Sequence, residues 1–202
     1  MPGSLSIRIS DSATPALQAL AAELHGEPVR KVMARAGVKE VRRHFYDLDR
    51  DPARANKLGG PRQHFFGQAA RATNFQLTSS GFVISVNHIG VALRYFGGTI
   101  RPVNAKFLTI PATAAAYGKR AREFPDLEAR FPKKSSAGAG FLYRVTGGRG
   151  KNQRMTILFW LVKKSTIHAD TTILPEMSAL VSLMCSAADS YIKRTWERSH
   201  AA

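Results

Sequence analysis

The chain has 202 residues, of which 44% are apolar and 22% are charged. These fractions are ordinary for globular domains, so the composition argues against a disordered or collagen-like chain. Thirty Lys and Arg residues stand against fourteen Asp and Glu residues, which gives a formal net charge of +16 at pH 7. An excess of this size attracts polyanions and makes copies of the chain repel one another.

Neither a membrane span nor a disulfide is expected. The longest uninterrupted apolar run, Ile157 to Val162, has six residues, whereas a spanning helix needs about 20. The single cysteine, Cys185, cannot form a disulfide within the chain. It lies among small and apolar residues of a predicted helix, where a free cysteine usually behaves as a small core hydrophobe.

The first part of the chain predicts helices. Thr14-Pro15 is a typical helix start, so a helix is expected from residue 15 until Gly26 ends it. A second amphipathic helix is expected over 28–51. The segment 64–72 predicts a short third helix, with four residues facing inward: Phe65, Phe66, Ala69 and Ala70.

The middle of the chain predicts strands, and its end predicts a long helix. Six segments have strand-like composition, namely 75–77, 82–87, 99–101, 107–110, 141–146 and 156–162. A helix is expected from Pro175 to about Arg198, with Met177, Leu180, Val181, Met184, Ala188, Tyr191 and Thr195 on its apolar face.

This order of elements predicts one α+β domain over residues 1–202. We expect an antiparallel sheet with helices packed on one face, a long basic loop insertion at about 99–150, and a C-terminal helix. Long connections without regular structure are usually functional or disordered.

No motif for bond-making chemistry was found. The glycine-rich stretch Gly147 to Lys151 lacks the spacing of a phosphate-binding P-loop. No two histidines are spaced for metal binding on a helix, and neither a Cys-x-x-Cys pair nor a Gly-x-Ser-x-Gly elbow is present. The sequence therefore predicts a protein that is not an enzyme, with no catalytic residues, no cofactor and no metal site.

Much of the positive charge is concentrated in the middle of the chain. Residues 101–154 contain twelve basic and three acidic residues. These basic side chains either contact phosphates or acidic partners or form an ordinary solvated surface. The candidates for facing DNA or an acidic partner are Lys119, Arg120, Arg122, Lys133, Lys134, Arg149, Lys151 and Arg154.

Two stretches carry a resemblance to a known family. They are Asn87 to Pro102, which includes Arg94-Tyr95-Phe96-Gly97-Gly98, and Lys106 to Pro111. With the segments 56–61, 64–73 and 116–121, they resemble the virion morphogenesis proteins of Mu-like tailed phages, a group related to tail-completion and neck proteins. The likeness covers most of residues 40–125.

This resemblance implies a structural protein of the virion that assembles in the host cytoplasm. It implies a homo-oligomeric ring, commonly a hexamer, that terminates the tail tube and joins it to the head. The implied partners are the tail tube protein, the head–tail connector proteins and genomic DNA passing through the channel. No membrane is implied. The candidate interface residues are Gly97, Gly98, Thr99, Ile100, Arg101, Pro102, Lys106 and Phe107.

A second hypothesis of a different class also fits the charge. The chain could serve as a DNA-binding accessory protein of the particle that does not read sequence. Such a protein loses affinity steeply as salt rises, because each phosphate contact releases counterions.

Overall fold

A computed structural model describes residues 22, 26–54, 58–132, 140–147 and 153–200, with only the backbone at 199 and 200. The helix expected over 15–25 lies outside the described residues, apart from Ala22. Four α-helices are described: α1 (Glu27–Arg50), α2 (Phe65–Arg71), α3 (Val91–Phe96) and α4 (Met177–His200). The expected second helix, short third helix and terminal helix are confirmed. The sequence did not predict α3.

The described strands form antiparallel sheets, so the α+β class is confirmed. The strands are β1 (Thr73–Leu77), β2 (Phe82–Val86), β3 (Gly98–Ile100), β4 (Leu108–Pro111), β5 (Glu128–Arg130), β6 (Gly140–Thr146), β7 (Arg154–Val162) and β8 (Ser165–Ile167). They form the pairs β1–β2 and β3–β8 and a four-stranded sheet in the order β4-β7-β6-β5. The sequence analysis expected one sheet and did not predict β5 or β8.

The contacts divide the chain into two compact units. Unit one contains residues 1–43, 73–87 and 175–202, and unit two contains residues 44–72 and 88–174. Most of α1, the β1–β2 hairpin and α4 thus belong to unit one, and the other strands belong to unit two with α2 and α3.

In unit one, α1, β2 and α4 meet at Gly37. A Cβ on this glycine would lie 2.5 Å from Ile84 Cδ1 and 2.8 Å from Met184 Sδ. Glycine therefore lets the three elements approach closely. The guanidinium of Arg42 donates hydrogen bonds of 2.6 and 3.2 Å to the carbonyl oxygen of the fully buried Thr73, which joins α1 to β1.

The terminal helix buries only part of its expected apolar face. Leu180, Met184 and Ala188 are buried at a spacing of four residues. Met177 and Val181, which were expected to face inward, are 68% and 45% exposed. By spacing, Met177 lies on the same face as this stripe and Val181 lies at its edge, but Met177 is the first residue of α4.

By length and composition, the helical stretch Thr171–Arg198 could cross a membrane. Its most apolar 18-residue window has a mean hydropathy of 1.3. The sequence argument counted uninterrupted apolar residues and not the window average, and the expectation that the chain has no membrane span stays a prediction. Core helices of proteins without a membrane span pass the same test.

In unit two, an apolar cluster forms on one face of the four-stranded sheet. Ala116, Leu158 and Phe159 are buried in it, and Phe124 and Leu142 pack against them. Leu158 and Phe159 are consecutive residues of β7, whereas a regular strand alternates its faces. A register shift between β6 and β7 explains this. Leu142 pairs with Phe159, but the next residue, Tyr143, pairs with Ile157, so Leu158 is the extra residue of a β-bulge in β7.

A close backbone approach at Gly97 joins α3 to β8. Gly97 has φ 73° and ψ 179°, a region that is essentially restricted to glycine. A Cβ at this position would lie 2.8 Å from the backbone nitrogen of Ala169 and 3.0 Å from the Ile167 carbonyl oxygen. Both atoms belong to the main chain, so no side chain can move aside to make room.

We predict that Gly97→Ala destabilises the fold by at least about 2 kcal/mol, because it adds conformational strain to a clash with main-chain atoms. Chemical denaturation followed by circular dichroism measures this loss. The matched control is Gly81→Ala, where the nearest atom to a new Cβ is 3.8 Å away. Equal stability of Gly97→Ala and the wild type would contradict the close approach.

Candidate assembly surface

The predicted interface segment begins where α3 ends. The chain leaves α3 at Gly97. Residues 98–100 then pair with β8, and residues 108–111 pair with β7. Both ends of the segment are therefore held within unit two, and the connection between them is residues 101–107.

Three large apolar side chains near this segment are almost fully exposed. Ile89 is 95% exposed, Phe96 is 76% exposed and Val103 is 93% exposed. They fall within fifteen residues of the chain, on both sides of the Gly97-Gly98 pair. Scattered apolar residues on a surface are normal, but three so exposed and so close in sequence are candidates for burial against another molecule. We call Ile89, Phe96 and Val103 the apolar trio.

The candidate interface residues differ in their surroundings. Thr99, Ile100, Arg101 and Lys106 are exposed, and Gly97 and Pro102 are partly buried. Gly98 is exposed, with φ 155°. Phe107 is partly buried, because its ring lies 5.4 Å from that of Phe131. Phe96, which the sequence analysis did not include in this set, is more exposed than any of its aromatic neighbours on the segment.

The described basic candidates occupy two positions in unit two. Lys119, Arg120 and Arg122 are exposed around the short 3-10 turn Ala121–Glu123. Arg154 is exposed at the start of β7, four residues, or about 13 Å of strand, from the core residue Leu158. The other four candidates, Lys133, Lys134, Arg149 and Lys151, lie outside the described residues.

One of these basic side chains, Lys119, contacts an aromatic ring. The Lys119 ammonium lies 5.6 Å from the centre of the Phe124 ring, a cation–π distance. The Arg144 guanidinium lies 5.6 Å from the same ring and donates a 2.8 Å hydrogen bond to Asp126. This hydrogen bond lowers the pKa of Asp126 below its ordinary value.

A second carboxylate of unit two is also engaged within the fold. Asp170 accepts hydrogen bonds from the Thr172 hydroxyl at 2.5 Å and from Arg54 at 2.8 Å, and these bonds lower its pKa. Its backbone N–H donates to the carbonyl oxygen of Arg94 at 2.9 Å, which ties α3 to the segment after β8. Asp126 and Asp170 thus both form their hydrogen bonds within unit two.

The described residues include no cluster of three or more His, Cys, Asp or Glu side chains that could hold a metal ion. Cys185 is exposed on α4, so the expectation that it would be a core residue was wrong. Its two neighbours in the helix, Met184 and Ser186, show the reason: Met184 occupies the buried stripe, and the next two positions turn away from it.

Comparisons with known proteins returned no match. No protein-family model matches the chain, and no curated protein or solved structure resembles it significantly.

We predict that Asp170→Asn lowers the stability of the fold at neutral pH. The folded pKa of Asp170 is below its unfolded value of about 4. Its ionised form therefore stabilises the fold above that pH, and the contribution is lost as the pH falls through the folded pKa. Thermal unfolding should give a lower Tm for the variant at pH 7 and converging values toward pH 3. A constant difference between the two proteins at both pH values would contradict this assignment.

Proposed function

We propose that the chain is a non-enzymatic structural protein of a tailed phage. In this proposal it forms a ring at the neck that terminates the tail tube and joins it to the head. The sequence resemblance over residues 40–125 suggests this class of protein. Its mechanism is assembly: copies of the chain bind one another and present a surface to the adjoining layers of the particle.

The exposure of the apolar trio is the observation that carries the proposal. Burying one such side chain contributes roughly 1.5–3 kcal/mol, so covering all three would supply a substantial part of an interface. A closed ring needs head-to-tail interfaces in which one patch binds a different patch on the next copy. The trio lies beside the segment that the sequence analysis identified as the interface.

The charge suits the same role. At +16, free copies repel one another until an acidic partner or DNA neutralises them. This favours a free chain that stays dispersed and assembles on the tail tube. The exposed cations Lys119, Arg120, Arg122 and Arg154 are available for such a partner.

We predict that the double substitution Phe96→Ser/Val103→Ser prevents assembly. Two buried side chains lost from each interface should weaken subunit association at least about 100-fold. The test is complementation of a phage that lacks this gene, with joined particles counted by electron microscopy. Wild-type protein should restore joined particles, and the double variant should leave heads and tails separate.

The control for this experiment is Val83→Ser. Val83 is 55% exposed on β2, so the change removes an exposed apolar side chain of unit one, and it should restore joined particles. Circular dichroism of each purified variant establishes that it folds. Joined particles in the phage without the gene, or purified virions that lack the chain, would overturn the proposed function. DNA binding with no effect on particle joining would favour the accessory-protein hypothesis.

A further inference from the structure

Unit two contains a cavity that the assembly proposal does not use. Its volume is about 230 Å³. The side chains that matter in its lining are Asp49, Arg54, Arg62, His64, Arg94 and Tyr117. We call it the arginine pocket. It brings together parts of three segments singled out in the sequence: the His64-Phe65-Phe66 run, Arg94 before the double glycine, and Tyr117.

Two of the three arginines of the arginine pocket lack a carboxylate partner in the described part of the chain. Arg54 is paired with Asp170 at 2.8 Å and lies 3.9 Å from a carboxylate oxygen of Asp51. Arg62 donates to the backbone oxygen of Asp49 at 3.0 Å. The Arg94 guanidinium lies 4.5 Å from the centre of the Phe65 ring. Among the described residues, no carboxylate oxygen lies within ion-pair distance of Arg62 or Arg94. Arg62 and Arg94 are therefore the two arginines of the pocket that can pair with a carboxylate from another molecule.

The carboxylate of Asp49 is held by the pocket wall. One oxygen accepts a 2.8 Å hydrogen bond from His64 Nδ1, and the other accepts a 3.1 Å hydrogen bond from the Gly67 N–H. Burial raises the pKa of Asp49, but the hydrogen bonds and the charge of His64 outweigh this, and the pKa falls below its ordinary value. Asp49 therefore positions His64 and the start of α2.

The pocket wall is held in a fixed conformation. His64 has φ 50°, and among the described residues no other non-glycine residue has a positive φ. Residues in such conformations cost about 1–3 kcal/mol and concentrate at ligand-binding sites. Next to Tyr117, Gly118 has φ 78°, a conformation that favours glycine. A Cβ there would lie 2.7 Å from Nε2 at the end of the flexible Gln63 side chain.

We propose that the arginine pocket binds the carboxylate of a glutamate side chain on an acidic segment of a partner protein. The Arg94 guanidinium, 4.5 Å from the centre of the Phe65 ring, is a planar donor of the kind that binds a carboxylate with two parallel hydrogen bonds. Phe65 and Tyr117 provide apolar surface for the methylene groups of the glutamate. The inference is independent of the proposed function, because it does not use the apolar trio.

The size of the cavity favours a protein side chain over nucleic acid. A volume of about 230 Å³ admits one side chain, whereas a duplex presents its phosphates on a convex surface too broad to enter. Phosphate contacts also rely on exposed basic side chains that follow the backbone, and these lie elsewhere in unit two. The net charge of +16 provides the long-range attraction for an acidic segment.

The test is a binding measurement on the full-length chain by fluorescence anisotropy. The probe is a fluorescein-labelled octapeptide of alternating Glu and Gly residues, and the comparison probe is a labelled oligothymidylate of the same charge. Arg94→Gln and Arg62→Gln are each expected to weaken peptide binding about tenfold at 0.15 M salt, the effect of losing a charge-assisted hydrogen bond. Arg62 is exposed, so its substitution leaves the core intact.

The matched control is Arg35→Gln on the exposed surface of α1 in unit one. It removes the same charge and should change peptide affinity less than about twofold, in line with the small value of a screened surface charge. Arg94→Lys, which keeps the charge and loses the planar donor, should weaken binding by an intermediate factor. Circular dichroism establishes that each variant folds.

Three results would overturn the proposal. The first is an equal loss for Arg94→Gln and Arg35→Gln, which would mean that only overall charge matters. The second is a larger loss for the oligothymidylate than for the peptide, which would make the pocket a phosphate site. The third is a failure of the wild-type chain to bind the peptide at low salt.

Discussion

Much of unit two depends on one steric constraint, the approach of the Gly97 main chain to that of Ile167 and Ala169. This contact allows β3 to pair with β8 directly after α3 ends. It brings the Asp170 N–H within 2.9 Å of the Arg94 carbonyl oxygen. Asp170 in turn holds Arg54 at 2.8 Å. One residue without a side chain therefore determines where α3 ends and which charged groups gather beside it.

The same short helix links the two proposed binding functions. Arg94 lies toward the arginine pocket with its guanidinium on Phe65, and Phe96 is exposed two residues later. A helix turns by about 100° per residue, so side chains two positions apart point to different sides. A six-residue helix can thus present a cationic group to a pocket and an aromatic group to solvent. The aromatic contacts around Phe65 fix its position through Phe66 at 5.1 Å and His88 at 4.7 Å.

The elements predicted correctly from sequence are those with a long periodic pattern or a local turn. The helix α1 has an apolar stripe over six turns, and the β1–β2 hairpin has a polar turn between two apolar runs. In contrast, α3 has only six residues, and β5 consists of Glu128, Ala129 and Arg130, which have low strand propensity. Partners elsewhere in the chain stabilise these two elements. The Asp170 N–H donates to the Arg94 carbonyl oxygen of α3, and β5 pairs with β6.

The arginine pocket could not be predicted because its residues are far apart in sequence. Asp49, His64, Arg94 and Tyr117 span almost seventy positions, and none belongs to a spacing motif for anion binding. A partial signal was present, since three of the four lie in or beside segments that carry the family resemblance. The exposure of Cys185 was missed for a related reason: a helical stripe predicts which residues share a face, but its edges depend on what packs against it.

That exposed thiol has a practical consequence. Cys185 is the chain's single cysteine, so a maleimide dye attaches at one defined point on every copy. Stepwise photobleaching of labelled assemblies would then count the copies in the proposed ring directly, without a reconstruction. The same thiol can oxidise to cross-link two copies, and solution measurements of association therefore need a reducing agent throughout.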